Sequence, residues 1–216
     1  MVKFFWNYSD TLFPLLALLF LLPGRKGWKG YYLLLTYLII TVILMGFSNL
    51  LADRRINNMY LYHSYTLIET GLLLPLISRL SGIRYKAAWI TFFLFALFWV
   101  ANLTFWESWR QFNSNTASLS ALLVAAFSFI YFFTLIKTDR VLDFQKRPSF
   151  WIVSGLLFYS IASILVLGSY KYKEWFVDVN THITWKIQQV ANMIKFVLFL
   201  IGILCSYRQS SPDGSS

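Results

Sequence analysis

Charge is scarce in this sequence for its length. Asp, Glu, Lys and Arg make up 13% of its 216 residues, against about 25% in an average soluble domain. Hydrophobic residues make up 58% and aromatic residues 20%. So few ionised groups cannot cover a water-soluble fold of this composition, so the solvent for most of the chain is lipid.

Cysteine is scarcer still. Cys205 stands alone, which excludes an intrachain disulfide and a thiolate metal cage. At the end of an apolar run it reads as a small hydrophobe. Histidine occurs twice, as His63 and His182. Neither belongs to an HxxxH or HExxH pattern, so a zinc site would have to recruit carboxylates from distant helices. GxSxG, a glycine-rich phosphate loop and a Walker sequence are all missing. No cofactor is implied and no catalytic arrangement stands out. Acidic residues number nine against 19 basic ones, for a net charge of +10. The basic residues are scattered over loops, which fits anchoring against anionic lipid and excludes a nucleic-acid interface.

The chain does hold seven apolar runs, at about 4–22, 31–52, 60–80, 87–105, 117–136, 150–167 and 184–207. Each is near the roughly 20 residues a bilayer requires, and none shows the ten-residue alternation of a barrel strand. The expectation is an all-α fold: one seven-helix transmembrane bundle over residues 1–207, then a polar, disordered tail, 208–216. The first run is followed by LPGRKG instead of a small-residue cleavage site. Arg25, Lys26 and Lys29 form a stop-transfer cluster, so a retained helix is expected.

Orientation follows from Lys and Arg. Arg25, Lys26, Lys29, Arg79, Arg84, Lys86, Lys137, Arg140, Lys146, Arg147 and Arg208 fall on one side. Lys3, Arg54, Arg55, Arg110, Lys171, Lys173 and Lys186 fall on the other. The bias favours an N-terminus outside and a C-terminus in the cytoplasm. The last loop, YKYKEWFVDVNTHIT, reads as an interfacial aromatic belt or as a lid.

Two runs carry a charge deep inside. Glu69 lies about 14 Å into the third helix and Lys195 about 16 Å into the seventh at 1.5 Å per residue. Tyr62 and Tyr65 share the Glu69 face, with His63 on the neighbouring one; Gln188 and Asn192 share the Lys195 face. Opposite charges at one depth invite pairing, because a lone charge at the midplane costs roughly 3 kcal/mol. Helices 3 and 7 are therefore expected to be close neighbours. Above the pair, a polar vestibule lined by Asn49, Tyr62, His63, Asn102, Gln188 and Asn192 is expected between helices 2, 3 and 7. A dry plug of Leu, Ile and Phe is expected below. The pair can equally be structural glue between helices.

INNMYLYHSYTLIE and WKIQQVANMIKFVLFLIGI resemble segments of uncharacterised seven-helix membrane proteins of bacteroidete bacteria. That resemblance implies the bacterial cytoplasmic membrane and, since some of those proteins are encoded beside histidine kinases, a membrane partner such as a sensor kinase. In ceramidase-type seven-helix hydrolases the last helix carries a His pair; here those places hold Gln188 and Asn192. Lys195 and Glu69 are also placed as in microbial rhodopsins, a resemblance that would make Lys195 the Schiff-base lysine and Glu69 its counterion. Helix 6 lacks the rhodopsin Trp-x-x-Tyr-Pro pattern and helix 3 its Asp-Trp sequence. Small-ligand sensing or a signalling accessory role leads. An intramembrane enzyme or proton-coupled carrier using Glu69, and a retinal-binding protein, are the alternatives.

Overall fold

Long runs of Leu, Ile, Phe and Ala, broken only by short polar or proline-containing segments, leave the backbone one way to satisfy its hydrogen bonds in lipid, which is within helices. The computed structural model describes residues 2–23, 30–137, 144–171 and 181–208. Its helices are α1 (Val2–Leu21), α2 (Tyr31–Asp53), α3 (Met59–Ser81), α4 (Tyr85–Phe105), α5 (Ser114–Lys137), α6 (Pro148–Lys171) and α7 (Thr181–Arg208). No strand occurs among the described residues. Five helices are long and apolar enough to cross a membrane: α2, α4, α5, α6 and α7. In α3 the polar residues that make the site dilute the apolar run. The basic cluster Arg25, Lys26 and Lys29, most of the loop before α7, and the tail from 209 lie outside the described residues.

The termini explain where the helices stop. After α2 the chain turns through Arg55 at φ 57. Ile56 N–H then bonds the Leu51 carbonyl and Arg55 N–H the Ala52 carbonyl, the double closure of a left-handed helix end. α3 stops at Gly82, which takes φ 74 at no steric cost. Pro148 opens α6, where its missing N–H costs nothing.

Six helices close a ring in the order α1–α2–α3–α5–α6–α7, and α7 packs back on α1. α4 stands outside this ring, against α3 and α5. Its outer face carries Ile90, Phe93, Leu94 and Leu97, all more than half exposed. Inside the ring, Thr41, Thr70, Ser128, Ser160, Ser163 and Lys195 are buried. Large apolar side chains outside and polar ones inside are the reverse of a water-soluble bundle, and they mark a membrane protein.

One half of the ring along its axis is apolar. Leu34, Leu38, Leu74, Ile77, Phe196 and Phe199 are completely buried there. α6 and α7 approach most closely. A Cβ added at Gly155 would come within 2.9 Å of the Lys195 carbonyl oxygen, and one added at Gly202 within 2.8 Å of the Pro148 carbonyl oxygen. Two glycines therefore set that crossing, as small residues do between helices in lipid.

Candidate functional site

The polar half of the ring is built from helical repeats that all turn inward at one level. On α3 these are Tyr62, Tyr65 and Glu69; on α7, Gln188, Asn192 and Lys195. The sequence pattern finds both stripes. α2 adds Tyr37 and Thr41 one turn apart, α6 adds Tyr159, Ser160 and Ser163, and α1 adds Asp10.

Glu69 and Lys195 meet at the floor. Lys195 Nζ lies 3.7 Å from Glu69 Oε1 and donates to the Tyr37 hydroxyl at 3.0 Å. The same Glu69 oxygen accepts from Tyr37 and Tyr65, each at 3.0 Å. The Tyr65 hydroxyl also lies 3.3 Å from Thr41 Oγ1. The ammonium sits 3.9 Å from the centre of the Tyr159 ring and 4.6 Å from that of Phe196. Lys195 is 1% exposed. Its cost of burial is offset by one carboxylate, one hydroxyl and two ring faces.

Helices 3 and 7 do not pack along each other as their matched stripes predict. The neighbours of α3 are α2, α4 and α5; those of α7 are α1 and α6. The charges meet across the ring, by the reach of the lysine.

Above this floor is a cavity of about 120 Å³. It is lined from α1, α2, α3, α5, α6 and α7, a wider enclosure than the expected site between helices 2, 3 and 7. Tyr62, Tyr65, Glu69, Gln188 and Asn192 line it, joined by Asp10, Tyr159 and Asn113. Lys195 does not line it. Asn192 Nδ2 donates to Asp10 Oδ1 at 2.7 Å, and Gln188 Nε2 donates to Ser163 Oγ at 2.7 Å. The Gln188 Oε1 atom is buried with no hydrogen-bond partner among the described residues. Trp185 and Phe112, edge to face at 6.1 Å, stand at the end where α3, α5 and α7 begin.

Three expected vestibule residues lie elsewhere. His63 is fully buried on the other side of α3. Its Nε2 donates to the Gln111 carbonyl oxygen at 3.1 Å, so the ring fastens the α4–α5 connection. Asn49 donates to Thr11 Oγ1 at 3.0 Å and ties α2 to α1. Asn102 donates to Glu107 Oε2 at 2.7 Å and accepts from Asn115 Nδ2 at 3.0 Å, within the α4–α5 junction. The reason is common to all three. Spacing gives the residues that share a face, and the neighbouring helices decide which face meets the cavity.

Asp10, Tyr37 and Tyr159 escaped the sequence reading. Asp10 looks like a polar helix entrance, and tyrosines in apolar runs look like interface aromatics. The signal that was present for α6 is the spacing Leu156, Ser160, Ser163 and Leu167, all of which line the cavity. Among the described residues, no group of three or more His, Cys, Asp or Glu side chains forms a metal site. No known protein family, curated protein or solved structure matches the chain.

Proposed function

We propose that the protein binds a small polar ligand in this cavity and reports it to a membrane partner such as a sensor kinase. It is a seven-span protein of a bacterial cytoplasmic membrane, N-terminus outside and C-terminus inside, and the cavity opens outward. The observation that carries the reading is the cavity itself: an enclosure walled by six helices, mostly apolar in its lining, into which a few polar side chains project and which ends on a carboxylate. An apolar cavity of about 150 Å³ takes up benzene, so one of about 120 Å³ suits a ligand of roughly five or six heavy atoms. The excess of Lys and Arg on one side favours the outward opening. With no output domain in the described chain, ligand occupancy would be transmitted through helix packing to a partner.

A thermal-shift screen of the purified protein tests this. A ligand at a hundred times its Kd stabilises the folded state by about 2.7 kcal/mol, which reads as a clear rise in Tm. The rise is expected to vanish in Glu69→Gln. If small polar solutes of every charge class leave Tm unchanged, the reading is wrong.

A proton-coupled carrier built on Glu69 is the second reading, favoured by the hydroxyl-linked contact between Glu69, Tyr37 and Lys195. It requires a route past the apolar plug and Glu69-dependent flux in liposomes. The retinal reading is disfavoured, because the cavity is too small for a long polyene and Lys195 lies outside its lining.

A further inference from the structure

Among the described residues, three acceptor oxygens around the cavity lack a donor. Asp10 Oδ1 is satisfied by Asn192, and Glu69 Oε1 by Tyr37, Tyr65 and Lys195. The second oxygen of each carboxylate accepts no hydrogen bond from a described residue. Gln188 Oε1 is the third. All three side chains line the same cavity. Among the described residues, Lys195 is the cation at this level; it pairs with Glu69 Oε1 at 3.7 Å from below and does not line the cavity.

We propose that the ligand is a compact primary amine bound as its ammonium ion between Asp10 and Glu69, with Gln188 Oε1 as a third acceptor. This rests on the cavity being a ligand site, and it names the ligand's chemistry. A primary ammonium brings three N–H donors and no acceptor, matching three free acceptors of which two are charged. An anion would meet two carboxylates. A neutral alcohol offers one donor and leaves the rest unmet, which is costly in a buried site. Tyr62, Tyr159 and Trp185 give the cation aromatic neighbours. Met45, Leu73 and Val124 give a short alkyl chain an apolar wall.

The test uses the full chain in nanodiscs and titration calorimetry with ethylammonium. Ethanol, tetramethylammonium, sodium and acetate serve as matched probes. Saturable ethylammonium binding is expected, with every other probe weaker by about tenfold or more, the equivalent of one charged hydrogen bond. Asp10→Asn and Glu69→Gln should each weaken it by a similar factor. If either variant fails to fold, the wild-type ranking of probes decides. Comparable binding of ethanol, acetate, sodium or tetramethylammonium overturns the ligand class, as does no ethylammonium binding at all. A second arm separates this failure from that of the site. Ala117→Cys, in a Cys205→Ala background, is labelled with a water-soluble thiol reagent added outside intact cells. Labelling without ethylammonium binding sinks the amine and leaves the outward cavity standing. No labelling removes the outward cavity, and the amine proposal with it.

Discussion

At the scale of the residue, Glu69 and Lys195 are unequal partners. Lys195 is buried on all sides, whereas Glu69 keeps two tyrosine donors and a face on the cavity. Glu69→Gln strands a buried ammonium and should cost about 3 kcal/mol. Lys195→Met leaves Glu69 hydrogen-bonded and should cost about 1 kcal/mol. The double variant should be more stable than Glu69→Gln alone, because it removes both charges together. Chemical denaturation of the four proteins as a double-mutant cycle checks this; equal and additive losses would mean the charges do not interact. The two charges were legible in the sequence because the other charges in their apolar runs, Arg79 and Lys186, lie at the run ends. Tyr37 was not legible, since its role depends on the α2 face that α3 happens to meet.

At the scale of the element, two junctions do most to hold the cavity walls. Gly155 and Gly202 set the α6–α7 distance. Gly155→Ala and Gly202→Ala should each cost about 1–3 kcal/mol by overpacking. Gly46→Ala is the control, because its Cβ would meet Thr11 at an ordinary 3.6 Å. Similar losses in all three would place the effect elsewhere than in the crossing. At the α4–α5 junction, Glu107 accepts from Ser114 Oγ at 2.7 Å and Asn115 N–H at 2.9 Å, as well as from Asn102. It is buried and caps the first turn of α5. Glu107→Ala should cost about 1–3 kcal/mol, seen as a lower Tm with helix content retained. An unchanged Tm would show that the cap is dispensable. Seven helical segments could be read from hydropathy alone. Glu107 could not, because a loop acid reads as solvated until both flanking helices are in place.

At the scale of the whole molecule, the ring order is the feature that sequence conceals. Successive apolar runs say nothing about α4 standing outside while α3 packs on α5. That arrangement lets α1 and α6 contribute Asp10 and Tyr159 to the cavity. It also makes Glu69 and Lys195 face each other across the interior instead of along one seam. The central claim is a cavity with polar side chains in its walls that opens outward, reaches Glu69 and stops at an apolar plug. Cysteine accessibility in intact cells tests it most directly, with single cysteines placed at Ala117 in the cavity wall and at Leu74 in the plug, both in a Cys205→Ala background. The account predicts that Ala117→Cys reacts with a water-soluble thiol reagent added outside and that Leu74→Cys does not. Equal labelling of the two, or labelling at Leu74 alone, would contradict it.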